Sequence, residues 1–444
     1  MSVKYFPFIF LFLFSLTTHA QVKKNDANLS IQKNLSDTAL MNLVQKQTIK
    51  YFWDFAHPVS GMARERSNRT SNYGAEVVTT GGTGFGVMAL IVGVERNWLE
   101  RDTVARHLLK MVKFLGKADS YHGAFPHWHN GETGKTIPFS RKDDGADLVE
   151  TSLLFQGLLC VREYFDQNNS VENELRHRIT SLWNEVEWDF FTRDGRDVLY
   201  WHWSPNNGWA MNFPLHGYNE ALITYVLAAS SAKYGIGRNV YDNGWAMSNF
   251  FFNGKKFYDH TLPLGFDYGG PLFFAHYSFL GLSPKGLKDN YADYWEQNVN
   301  HTLINRAYCI ENPKGYKGYS ADSWGLSAGD DYNGYLAHSP TNDNGTITPT
   351  AALSSFPYSP KYSMQAMRHF YESHGDKLWG KYGFKDGFSL SNNWYSDGYL
   401  AIDQGPIVVM IENYRTGLLW NLFMSIPEIQ NGLKKLGFKS DYFK

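Results

Sequence analysis

Residues 214–230 read PLHGYNEALITYVLAAS, an apolar helical run headed by Glu220. His216, Gly217 and Tyr218 precede the glutamate, and Trp201, Trp203 and Trp209 lie just upstream. Packing against aromatic rings strips water from a carboxyl group, disfavours its charged form and raises its pKa. A general acid working near neutral pH needs that shift. Asn219 is also a natural helix cap, and the helix dipole favours an early glutamate, so position 220 has a structural use as well.

Other apolar runs begin with acids too. In DGADLVETSLLFQGLL, Asp147 and Glu150 stand three apart and share one helix face. They fit a capping box and fit a catalytic pair equally well. In SDGYLAIDQGPIVVMIENYRTG, Asp403 opens another run as a cap or as a base, while Glu412 reads as a buried glutamate paired with an arginine. Two carboxyl groups flanking a glycosidic bond are the machinery of glycoside hydrolysis. Glu220, Asp403, Asp147 and Glu150 are therefore the candidate catalytic residues.

Other chemistries find little support. His127 and His129 alternate on a loop without a defined third ligand, so they read as loop or sugar-binding histidines, and no metal is expected. Asp330, Asp331 and the stretch TNDNGT lack the calcium-loop pattern. TTGGTGFG has no following lysine to hold a phosphate, and GxSxG and CxxC are absent, so no cofactor is implied. Lys and Arg number 42 against 43 Asp and Glu, a balance that argues against nucleic acid or an anionic membrane as partner.

The elements that must position these acids form two sets. Thr38–Phe55, Asp102–Lys117, Val171–Phe191, Asn290–Asn312, Lys361–Ser373 and Pro427–Leu436 carry apolar residues at helical spacing between charged ones, as surface helices do. Gly84–Val94, Leu148–Phe165, Glu220–Ala232, Pro271–Leu282, Thr350–Phe356 and Gly405–Phe423 are apolar or small on most faces, as buried helices are. The sets alternate, and strand signals such as Val198–Trp203 are short. The pattern predicts an all-α fold, a single (α/α)6 barrel with the second set as its inner ring. Loops entering the inner helices then gather on one rim, where binding sites are expected. They are rich in aromatic residues, which make up 16% of the chain, and aromatic planes suit the C–H faces of sugars. Trp128, Trp201, Trp203, Trp209, His216, Tyr218, Trp324 and Tyr332 are the candidate substrate-binding residues.

The first residues, MSVKYFPFIFLFLFSLTTHAQ, pattern as a secretory signal peptide over 1–20, cleaved between Ala20 and Gln21. A flexible segment over 21–37 and one barrel domain over 38–444 are expected to follow, with no linker dividing them. The expected protein is a monomer, periplasmic or secreted, without a membrane anchor. Cys160 and Cys309 lie in helical patterns, so disulfides are not its source of stability.

YFWDFAHPVSGMARERSN, TTGGTGFGVMALIVGVERNW, DLVETSLLFQGLL and GYNEALITYVLAASS together resemble the bacterial endo-β-1,2-glucanases, single-barrel glycoside hydrolases often labelled glucoamylases. The resemblance covers nearly all of the chain beyond the leader. It implies an inverting hydrolase of linear β-1,2-glucan that releases sophorose or short sophorooligosaccharides, and its acidic pocket residues match Asp147, Glu150 and Glu220. Glu220 is then the expected proton donor, with Asp403 or Asp147 as base. Exo action is the alternative, since motifs do not report which loops close the cleft. A polysaccharide lyase would want cations at the helix starts, a phosphorylase a basic pocket around Arg64, Arg66 and Arg141, and a glycan-binding protein no carboxyl pair.

Overall fold

The computed structural model describes residues 29–68 and 74–443; the leader-like segment lies outside them. Buried helices form the inner ring: α2 (Thr80–Glu95), α4 (Leu148–Tyr164), α6 (Leu222–Ser230), α8 (Pro349–Leu353) and α10 (Ala401–Arg415). The outer helices are α1 (Asp37–Trp53), α3 (Arg101–Leu115), α5 (Ser170–Glu185), α7 (Tyr294–Glu311), α9 (Pro360–Leu378) and α12 (Pro427–Leu436), with the short α11 (Leu418–Met424) after α10. α2 packs against α4 on one side and α10 on the other, α4 packs against α6, and α8 against α10. The fold is an (α/α)6 barrel, and among the described residues the strands form only two- and three-stranded sheets.

Glycines set the spacing of the inner ring. A Cβ on Gly157 of α4 would lie 2.1 Å from the carbonyl oxygen of Gly84 on α2. One on Gly405 of α10 would lie 2.4 Å from the Cβ of Phe85. Only hydrogen fits at these crossings, so small residues let the backbones meet while Leu154, Phe155, Leu158, Val408 and Val409 fill the core around them.

Several elements differ from the sequence reading. Pro271–Leu282 is not an α-helix but two tight turns, Leu272–Ala275 and Tyr277–Phe279. Four aromatic residues and a histidine there seek separate partners: His276 Nε2 meets Ser355 Oγ at 2.9 Å, and the Tyr358 hydroxyl donates to Ala275 O. Gly405–Phe423 breaks in two at Gly417, whose φ of 73° a helix cannot contain. α2 begins at Thr80, ahead of the apolar run, and α6 begins at Leu222, leaving Glu220 in the turn before it. The C-terminal helix α12 packs chiefly against α6, with Gly432 seated on Ser230. Part of the segment expected to be flexible is docked: Ile31 lies against Gly375 of α9, and Gln32 N donates to the Tyr371 hydroxyl.

Short hairpins lead into the inner helices. Val77–Thr79 pairs with Trp128–Asn130 and runs straight into α2, and Ala146–Asp147 pairs with His202–Trp203 and runs into α4. These ladders bring residues distant in sequence to one rim. Cys160 and Cys309 are buried free thiols. No helix among the described residues is long and apolar enough to cross a membrane.

Candidate active site

A cavity of about 200 Å³ opens at this rim, over the N-terminal ends of the inner elements. Glu150 reaches it from the first turn of α4, Glu220 from the turn ahead of α6, Phe273 and Tyr277 from the tight-turn segment, and Ile402 from α10. Glu65 and Arg66 enter from the loop before α2, His127, Trp128, Phe139 and Trp201 from the hairpins, and Tyr335 from the hairpin of Ala328–Asp331 with Gly334–Ala337.

Three carboxyl groups, Glu65, Glu150 and Glu220, thus line one largely aromatic pocket. Burial lifts the Glu220 pKa to about 7, and the nearby charges of Glu150 and Asp147 push the same way. Glu150 is 7% exposed, and its Oε2 accepts the Gly81 N–H at 2.7 Å, at the start of α2. Burial raises its pKa too, while the His127 imidazole and the Gly81 N–H favour its charged form. Burial alone would make His127 neutral, but Glu150, Asp147 and Asp143 outweigh it and lift its pKa to about 9, so a cation sits in the wall. Glu65 is bound by its neighbour Arg66, whose guanidinium also holds Asp330 at 3.0 Å. The Tyr277 hydroxyl is buried without a hydrogen-bond partner, and burial keeps it protonated and able to donate.

Of the predicted catalytic residues, the structure brings Glu220 and Glu150 into the cavity and leaves two out of its wall. Asp147 is fully buried and caps α4: its Oδ1 takes the Glu150 N–H and the Trp201 indole N–H, and its Oδ2 takes His127 Nδ1 at 3.0 Å. These donors, against the cost of burial, hold its pKa below the ordinary value. It orients the wall through these bonds. Asp403 is 2% exposed, in the first turn of α10 whose cap is Leu400, and neither of its oxygens has a donor partner. It faces Asp386, whose Oδ1 is likewise without a donor. Burial raises both pKa values, that of Asp403 to about 7, which favours a proton held between the two carboxyl groups. Glu412 pairs with an arginine as expected, but with Arg96 at the C-cap of α2 rather than with its neighbour Arg415.

Among the predicted platforms, Trp128 and Trp201 line the cavity. Trp203 packs on His122 and Phe190, and Trp209 on Phe190 and Tyr200, both outside it. His216 uses Nδ1 on the Gly244 carbonyl, Tyr218 is buried and donates to Asn298 Oδ1, and Trp324 is fully buried in the core. Tyr332 lies in a separate surface cavity with Asp331 and Trp394. Glu65, Tyr277, Phe139 and Tyr335 were not foreseen, because none stands at a helix start or in a tryptophan-rich stretch. Arg64 donates to the carbonyls of Phe55 and Ala75, and Arg66 to Glu65 and Asp330, so neither guanidinium forms a phosphate pocket.

Comparison with known proteins places this arrangement. Residues 212–427 match the family described as "Putative glucoamylase". A crystal structure of a "putative glucoamylase" from Bacteroides uniformis is 62% identical, covers 93% of this chain and 100% of its own, and superposes with a TM-score of 0.91. The endo-β-1,2-glucanase from Chitinophaga pinensis, solved with sophorotriose and glucose, is 58% identical, with 92% of this chain and 100% of that one covered and a TM-score of 0.90. An exo β-1,2-glucooligosaccharide sophorohydrolase of Parabacteroides distasonis is 45% identical over 90% of this chain, which spans 58% of the length of that relative. The barrel, the carboxyl-lined pocket at its rim and the two full-length structural matches agree, and the chain belongs to the bacterial endo-β-1,2-glucanase family of glucoamylase-like glycoside hydrolases.

Proposed function

We propose that the protein hydrolyses linear β-1,2-glucan at internal linkages, with inversion, releasing sophorose and short sophorooligosaccharides. The observation that carries this reading is the Glu220 carboxyl, held in a cavity with two further carboxyl groups and raised to a pKa of about 7. Half protonated at neutral pH, Glu220 donates its proton to the glycosidic oxygen. Asp147 is saturated with donors, Asp403 stands outside the wall and Glu65 is held by Arg66, which leaves Glu150 as the base. Fixed by the Gly81 N–H and favoured in its charged form by His127, Glu150 takes a proton from the attacking water. Tyr277 donates to a sugar hydroxyl, and Trp128, Trp201 and Phe273 offer ring surfaces. Internal cleavage accords with the Chitinophaga relative, matched over its whole chain. The Parabacteroides relative favours a second reading, release of sophorose from the non-reducing end.

The test is product analysis on linear β-1,2-glucan beside laminarin, starch and β-1,4-glucan, with Glu220→Gln in parallel. Products from the β-1,2-linked polymer alone are expected, mixed in length at early times, with the variant about 100- to 10,000-fold slower. Sophorose as the sole early product would select the exo reading, and intact β-1,2-glucan would end both. The leader-like first 20 residues support a periplasmic or secreted site of action; a mature chain starting at Gln21 is the expected result of N-terminal sequencing.

A further inference from the structure

A second and larger cavity, about 520 Å³, lies beside the catalytic pocket, within the size range of ligand clefts, roughly 300–1,000 Å³. Its rings are unusually open: Phe250 is 58% exposed, Phe252 56% and Phe266 45%. Phe250 and Phe266 lie with centroids 5.5 Å apart and planes tilted by 33°, a two-ring surface facing solvent. A cluster of exposed phenylalanines rimmed by polar groups marks a binding surface, because water penalises leaving such rings uncovered. Asn249, Asn253, Ser339 and Thr341 supply amides and hydroxyls around it. Its charged groups cancel, Lys255 Nζ holding Asp267 at 2.9 Å, so the surface suits a neutral ligand.

Two contacts tie this cavity to the catalytic one. Phe273 lines the catalytic pocket and Phe274 the second, with ring centroids 4.8 Å apart, so one pair of rings forms the partition. On the other side, the Phe250 carbonyl lies 3.1 Å from where a Cβ on Gly217 would stand, so the Phe250 segment rests against the turn that carries Glu220. That segment is braced from beneath: Gly265 N donates to Phe251 O at 2.8 Å, and Asn253 Nδ2 donates to Gly265 O at 3.0 Å. The backbone that carries the open rings is therefore held in place.

We propose that this second cavity is a distal subsite for the same neutral glucan chain, in which glucose units remote from the scissile bond lie on Phe250 and Phe266. The proposal rests on the β-1,2-glucan reading above. Aromatic faces with amides and hydroxyls beside them suit pyranose rings, and the Phe273–Phe274 wall between the two cavities puts this surface within reach of a chain that leaves the catalytic pocket.

The test compares long-chain β-1,2-glucan with the shortest sophorooligosaccharide cleaved, using wild type and the Phe250→Ala/Phe266→Ala double variant. The ratio of kcat/KM on the polymer to kcat/KM on the oligosaccharide is expected to fall about ten-fold in the variant, through KM, as loss of ring contacts to remote units requires. An unchanged ratio, including equal losses on both substrates, overturns the subsite and leaves the rings to another kind of partner. A wild type inactive on β-1,2-glucan overturns the functional reading instead. In that case calorimetry of laminarin and soluble β-1,4-glucan decides the subsite: weaker binding by the variant supports it, and equal or absent binding removes it.

Discussion

The pocket makes a quantitative claim about pH. An ordinary glutamate with a pKa of 4.5 would hold its proton at pH 7 in only roughly one molecule in 300, whereas a pKa of about 7 leaves half of the molecules in the acid form. Burial is the first cause of that shift and the charges of Glu150 and Asp147 follow, so removing a wall ring should undo much of it. Phe273→Ala is the perturbation, since that ring lines the cavity together with Glu220. The wild-type kcat/KM profile on β-1,2-glucan should lose activity with a limb near pH 7, about ten-fold per unit above it. In Phe273→Ala, water entering the wall should move the limb down by about one pH unit, so the variant loses roughly ten-fold more at pH 8 than at pH 5. The position of the limb is read, not its height, because a lost stacking surface lowers the whole curve without displacing it. A wild-type limb below pH 5.5, or an identical limb in the variant, would refute desolvation as the device that makes Glu220 an acid.

Two further outcomes follow from buried charges. The folded pKa of Asp403 lies above its unfolded value, so its contribution to stability is fully present below pH 4 and is lost as pH rises through about 7. Asp403→Asn replaces the proton shared with Asp386 by a permanent N–H donor, so its Tm should vary less between pH 5 and 8 than that of the wild type; parallel Tm curves would exclude the shared proton. Glu412 is fully buried and bidentate to Arg96, with N–O distances of 2.9 and 2.7 Å. Arg96→Ala should cost about 3 kcal/mol in urea unfolding, the low end for breaking a buried pair because Arg96 is 23% exposed. A cost under about 1 kcal/mol would mean that Gln45 and Thr416 alone satisfy the glutamate.

Much of this protein is written locally in its chain. The unbroken apolar runs of α2, α4 and α10 require burial, the charged spacing of α12 requires a surface, and six of each kind already point to a ring of helix pairs. Asp147 and Glu150 cap α4 through a hydrogen bond three residues long, and Glu220 stands out because aromatic and glycine neighbours surround it in sequence. Periodicity and capping are short-range properties, so these features need no tertiary information. Other features were decided only when distant segments met. The tight turns of Leu272–Phe279 take their shape from Ser355 and Tyr358, and α12 finds α6 across nearly two hundred residues of chain. Asp403 has Asp386 set against it, and the oxygens of Asp147 meet Trp201 and His127, only once the chain is folded. Glu65, Tyr277 and Tyr335 belong to no local pattern at all. A carboxyl group's role depends on which donors, rings and charges surround it within a few ångströms, and that neighbourhood is made by folding, not by sequence spacing.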